Sequence, residues 1–244
     1  MFAKRILFGL FLFLTASCAP QPMAAVTETT PPLVNIHLDP ALDWLRPNIQ
    51  SCSRQFSERL WDIQAKQPSA DFDIQGDIFL QWRSVAPDNF EVFILGNDEL
   101  MIVTHPDNPL SEIPLDVLRS VFRGDIQSWE EVDPALAAND IQLVIYPESN
   151  PIQEFFTQTV LENQGNFPAI AQLAPHPAAM LNAISQDTAS IGLLPARWVD
   201  NQVKPLGISG LTEELSQPIL AVVMHPPDDV SNAWLACLQT RISP

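Results

Sequence analysis

The chain has 244 residues, with 29 acidic against 12 basic, a formal net charge of −17. A surface this acidic argues against nucleic acid as a partner and against adhesion to anionic lipid head groups through a basic face. None of the 8 glycines falls in a GxGxxG or GxxxxGKS/T pattern, and the 3 cysteines and 4 histidines form no CxxC or HExxH set. The usual nucleotide loops and metal frameworks are therefore excluded, and no cofactor or metal is expected.

Lys4 and Arg5 precede an apolar run, Ile6 to Leu14, too short for a resident membrane helix, so residues 1–17 read as an export signal. The small residues Thr15, Ala16 and Ser17 lead into Cys18, which resembles the lipobox of bacterial lipoproteins, although Thr15 stands where an aliphatic residue is usual. That resemblance implies cleavage before Cys18, palmitate or a similar acyl group on it, and an extracytoplasmic protein held to the membrane by this anchor. Residues 18–32 are rich in proline and threonine and read as a disordered tether. Cys52 and Cys237 remain, either as one disulfide in an oxidising compartment or as two separate thiols.

The folded part opens with a strand-like run, Leu33 to Leu38. Leu42, Leu45, Ile49, Cys52, Phe56, Leu60 and Ile63 then recur at three- and four-residue spacings and predict one helical stripe, with Pro47 in its first turn. Asp77 to Trp82, Phe90 to Leu95 and Leu100 to Thr104 read as three short strands bounded by Gly, Pro, Asn and Asp. Pro114 opens an amphipathic helix with Leu115, Leu118, Val121 and Phe122 on one face, and Gly124 stands where a left-handed cap is expected. A strand over Ile141 to Tyr146 follows, and a helix begins at Ser149, Asn150 and Pro151. Beyond lie a helix from Pro177 to Gln186, strands Ala189 to Leu194 and Ile219 to His225, and a last helix carrying Val230, Ala233, Trp234, Cys237 and Leu238 inward. Strands alternating with helices predict an α/β fold with mixed, mostly parallel sheets flanked by helices.

Leu100 to Val132 carries a strand followed by Asn108–Pro109, a Leu115-x-x-Leu118 helix ending at Phe122-x-Gly124, and then Trp129. This segment resembles the phosphate-binding proteins of phosphate ABC transporters. Ile141 to Phe155 is similar to that family's strand, anion loop and helix, and Ala179 to Leu194 to its helix and Ile-Gly strand. The resemblance implies a two-lobed type 2 periplasmic-binding fold with a ligand cleft between the lobes. Lobe 1 would comprise 33–103 and 204–244 and lobe 2 would comprise 104–203, with crossings near Thr104 and between Pro195 and Val203. Cys52 and Cys237 would then join the first and last helices of the same lobe.

At the ligand loops the sequence departs from the family. The Ser-Gly-Thr loop is replaced by Ser149, Asn150 and Pro151, its usual arginine by Ile152, and the hydroxyl-rich first turn by His37, Leu38, Asp39 and Pro40. The ligand-binding residues expected are Asp39, Arg83, Ser84, Thr104, Glu148, Ser149, Asn150 and Arg197, with Trp82 and Trp198 either lining a pocket or packing in the core. The helix N-terminus at Ser149 offers amides to an anion, whereas Glu148 beside it repels a dianion. The implied function is a monomeric receptor that closes on phosphate or a related small anion for an ABC permease. The alternatives are the same fold binding another small ligand or acting as a sensor, and a secreted hydrolase. For the hydrolase, the isolated His37, His105, His176 and His225 and the absence of a GxSxG elbow leave no catalytic set.

Overall fold

The computed structural model describes residues 31–66, 78–83, 90–165, 167–223 and 226–242. The export signal, Cys18 and most of the tether lie outside them, as do Asp77, Ser84 and His225. Alternating burial along Leu33–Leu38 makes β1, which Asp39 and Pro40 end by opening a 3-10 turn, Pro40–Leu45, that runs into helix α1, Arg46–Ser53. The predicted stripe does not continue as helix. Leu60 and Ile63 belong to strand β2, Leu60–Ala65, which pairs in parallel with β1 from Leu33↔Leu60 onward. Apolar spacing of three or four is blind to the turns after Ser53, and the β-favouring Trp61 and Ile63 complete a sheet edge.

Strand β3, Ile78–Trp82, is buried throughout and lies parallel to β1. The next two predicted strands are one: β4 runs unbroken over Glu91–Thr104. Gly96 does not break it. A Cβ at that position would stand 2.7 Å from Ile242 Cγ2, so glycine here lets the C-terminal helix pack closely on the strand. β5 (Glu112–Pro114) precedes α2 (Leu115–Arg123), which ends as expected at Gly124 with φ 78°. The short α3 (Trp129–Val132), β6 (Gln142–Ile145), α4 (Pro151–Thr159) and β7 (Gln172–Leu173) follow. Then come α5 (Pro177–Gln186), β8 (Ser190–Pro195), a 3-10 turn at Ala196–Trp198, β9 (Lys204–Ser209), β10 (Ser216–Val223) and α6 (Asp229–Ile242).

The strands join in the order β2-β1-β3-β10-β4-β8-β6-β7, with β9 against the end of β4 and β5 beside β9. β4 divides this sheet in two. Its residues Glu91 to Glu99 pair with β10, and Leu100 to Thr104 pair with β8, joined by β9 from Ile102. Opposite the irregularity between Ile219 and Leu220 the strand carries an extra residue, Leu95, and such a bulge bends a strand just before it changes partners. By pairing, Lys204–Ser209 goes with the middle of the chain, and the change of partner in β4 comes at Glu99 and Leu100 rather than at Thr104.

In the first half, α1 and α6 pack together. Trp61 stacks on Trp234 at 5.0 Å, Trp234 Nε1 donates to Ser53 Oγ at 3.1 Å, and a disulfide joins Cys52 to Cys237 with 6.0 Å between Cα atoms. On α6 the inward residues are Trp234, Leu235, Leu238 and Ile242, while Ala233 faces out and Cys237 is half-buried. In the second half, Phe122 of α2 meets Phe156 of α4 at 4.6 Å, and Trp129 Nε1 donates to the Ala189 carbonyl at 3.0 Å.

Candidate functional site

In α/β sheets, ligands bind outside the carboxyl ends of strands where the strand order turns, and here that place can be read from register. Trp82 at the end of β3 is level with Ile219 and hence with Gly96, beside the change of partner in β4. From the other half, β6 runs parallel to β8, whose final Pro195 pairs with Leu100, so the end of β6 points to the same place. The residues that follow β1, β3, β6 and β8 therefore converge there: Asp39, Arg83, Tyr146 to Asn150, and Ala196 to Trp198.

Asp39 is buried and caps the first 3-10 turn. Its Oδ1 accepts from the Ala41 amide at 2.9 Å and its Oδ2 from the Trp82 amide at 3.2 Å, tying the ends of β1 and β3 together. Burial pushes its carboxyl up to about 6, against the opposing pull of those two amides and of the Arg83 guanidinium. The proline at position 40 costs no hydrogen bond in this first turn.

Arg83, the first residue after β3, reaches across to the first turn of α4, where its Nη2 stands 3.1 Å from Glu154 Oε2. At the neighbouring positions of the same two segments the rings of Trp82 and Phe155 meet edge to face at 5.7 Å. Tyr146 is fully buried; its hydroxyl donates to the Leu193 carbonyl at 2.9 Å and its amide to Gln153 Oε1 at 3.0 Å. Burial, with the nearby Asp39 charge adding to it, holds the phenol well above its ordinary range, so it stays a neutral donor. Asn150 is the N-cap of α4: its Oδ1 accepts from the Ile152 amide at 2.9 Å, and Pro151 occupies the first helical position. Glu148 and Ser149 are exposed on the turn before it.

The turn after β8 closes the back of the site. Trp198 Nε1 donates to the Ala41 carbonyl at 2.6 Å, and the Arg197 guanidinium lies 4.9 Å from the Trp44 ring centre and donates to the Ile242 carbonyl at 3.4 Å. Arg197 is thus engaged with the first half rather than with α4. Asp98, a buried carboxyl at the change of partner in β4, accepts from the Glu99 amide at 3.0 Å, and burial raises it to about 6 against the opposing pull of the Glu99 and Arg197 backbone.

Of the expected ligand residues, the fold brings Asp39 and Arg83 to one place with the turn carrying Glu148, Ser149 and Asn150, while Ser84 lies outside the described residues. Thr104 is not brought there. It pairs with Ile191, level with Leu143 near the start of β6, at the opposite end of that half from Tyr146. Trp82 is core and Trp198 half-buried. Sequence reasoning misses Glu154, Gln153, Tyr146 and Asp98. Glu154 alone leaves a signal, as an acid in the first turn of a helix whose N-cap is explicit.

A groove of about 270 Å³ lies alongside α4, lined by Glu148, Glu154, Gln158, Asn163 and Phe167 among others, all from the second half. His105 Nδ1 accepts from the Asp107 amide and His176 Nδ1 from the Ala179 amide, so both act as local caps. Among the described residues no group of three His, Cys, Asp or Glu side chains could hold a metal ion, and no helix is long and apolar enough to cross a membrane.

A mixed α/β sheet divided by one long strand, with strand ends converging at the division, has the architecture of the type 2 periplasmic-binding fold. The model of the PBP superfamily domain matches residues 93–223, more than half of the chain, and the chain belongs to that superfamily. Solved structures of the same fold include a putative phosphate ABC transporter substrate-binding protein with bound phosphate from Clostridium perfringens. It has 15% identity and a TM-score of 0.73 over 84% of this chain and 92% of that one. An ABC-type phosphate transport receptor from Vibrio cholerae has 18% identity and a TM-score of 0.66 over 84% and 93%. The CcmR regulatory domain of Synechocystis PCC6803 with 2-PG has 9% identity and a TM-score of 0.63 over 86% and 96%. No curated protein sequence matches the chain.

Proposed function

We propose that this chain is an exported solute-binding protein, lipid-anchored at Cys18, that captures a small anion such as phosphate for an ABC permease and performs no chemistry on it. It acts as a monomer whose two halves close as lobes about the change of partner in β4. The observation that carries this reading is Arg83, whose guanidinium stands at the end of β3 and faces the first turn of α4 across the site. Superfamily membership and the likeness to phosphate receptors support it, as do the positive first residues, short apolar run and Cys18 at the front of the sequence. Calorimetric titration of the protein with phosphate, sulfate and molybdate tests it. Binding should be present and should weaken at least tenfold in Arg83→Ala, since a charge-assisted hydrogen bond is worth about 1.5–3 kcal/mol. An unchanged affinity in Arg83→Ala would move the site elsewhere.

A second reading is favoured by Asp39, whose carboxylate already occupies two amides at the strand ends. Under it the same cleft takes a less charged solute or serves sensing, which fits the likeness to regulatory domains. A titration panel of amino acids and small carboxylates separates the two readings.

A further inference from the structure

The geometry points to Glu154 as a resident competitor for Arg83: an incoming anion must displace its carboxylate, so Glu154 sets the site's affinity and its selectivity for ligand charge. This inference rests on the anion-binding reading above. Arg83 is the cation that faces α4 here, because Arg197 is directed at the Trp44 ring and the Ile242 carbonyl in the other half. Its Nη2 is held at 3.1 Å by Glu154 Oε2, and the two side chains keep 21% and 45% of their surface, so solvent and ligand reach both. An ion pair this exposed is weak and exchangeable.

Glu154 also has somewhere to go. Its Oε1 already accepts from Gln158 Nε2 at 3.3 Å, one turn along α4, and both residues line the groove beside that helix. Swinging away from Arg83 needs only a rotamer change on a helix surface, with no unfolding. Once displaced, the carboxylate remains near the bound anion and repels it in proportion to the anion's charge. The pair therefore does two things: it joins the halves while the site is empty, and it penalises dianions more than monoanions once the site is filled.

The test is titration of the full-length protein at pH 8 with phosphate and sulfate as dianions and nitrate as the monoanion, in wild type, Glu154→Gln and Glu154→Asp. Glu154→Ala with a thermal melt guards against a folding defect peculiar to one variant. Glu154→Gln and Glu154→Ala are expected to bind the dianions roughly three- to fivefold more tightly, with a smaller gain for nitrate. Glu154→Asp, which keeps the charge, should retain the wild-type preference. If wild type binds anions and the neutral variants bind them no more tightly, or gain equally for all three, Glu154 is not a competitor and the solute-binding reading stands. If no anion binds wild type or the neutral variants, both the inference and the anion-binding reading fail.

Discussion

Two carboxyls lie buried where the halves meet, and each has a folded-state pKa of about 6 against a reference of 3.8 because burial disfavours its charge. The folded protein therefore holds these protons more tightly than the unfolded chain does. The cost of burying the charge stands in full above pH 6, fades as the pH falls through 6, and is gone below about 4, so these groups make acidification from pH 7 stabilising. Asp228 works the other way: its carboxyl is lowered by the Ser231 backbone and side chain and by Arg59, and its contribution is lost in acid. Asp98 is the cleaner probe, because Asp39 also caps a turn. Asp98→Asn keeps an acceptor for the Glu99 amide and removes the ionisation. The urea midpoint of wild type should reflect a gain of order 2 kcal/mol from Asp98 between pH 7 and pH 4, and the variant should lack that part of the slope. Identical slopes in the two proteins would mean that Asp98 is solvated.

Helix ends carry local chemistry, and α2 shows how far that goes. Gly124 holds φ at 78°, and a Cβ there would also stand 3.0 Å from Pro168 Cβ. Gly124→Ala should therefore cost about 1 kcal/mol or somewhat more, seen as a lower thermal midpoint with the fold unchanged by circular dichroism. The same local chemistry makes α2 and α5 legible in the sequence, through Pro114, Gly124 and Pro177. β2 is not legible there, since Leu60 and Ile63 continue a helical spacing by coincidence, and the helix-to-strand change is decided by pairing with β1. β4 reads as two strands because Gly96 punctuates it, although that glycine answers to Ile242, which lies 146 residues further along the chain. The change of partner at Glu99 and Leu100 also accounts for Thr104, which pairs with Ile191 at the far end of β4, away from Trp82 and Arg83. Asp39, Arg83 and Asn150 can be found because each directly ends a strand or starts a helix. Glu154, Gln153, Tyr146 and Asp98 cannot, because their roles depend on partners that only the tertiary fold supplies.

The two ends of the described chain belong to one half of the molecule, and the disulfide acts at that scale. Cys52 on α1 and Cys237 on α6 close a sequence separation of 185 residues, yet α1 packs on α6, and α6 packs on β4 beside Gly96 and through Trp234 on Trp61 of β2. The bridge therefore encircles the second half in sequence without crossing the site in space. In the chain-entropy picture a loop of this length stabilises by about 5 kcal/mol, an upper figure that measured bridges often undershoot. Reduction should consequently lower the thermal midpoint by several degrees. It should leave the affinity for any ligand held between Arg83 and α4 unchanged, because the bridged cysteines sit on α1 and α6, whereas Arg83 follows β3 and Glu154 sits on α4. Parallel melts and titrations with and without dithiothreitol distinguish the outcomes. A lower midpoint with unaltered affinity fits a bridge that fixes one half and leaves the hinge free, whereas a loss of affinity on reduction would mean that α1 or α6 moves when the site closes.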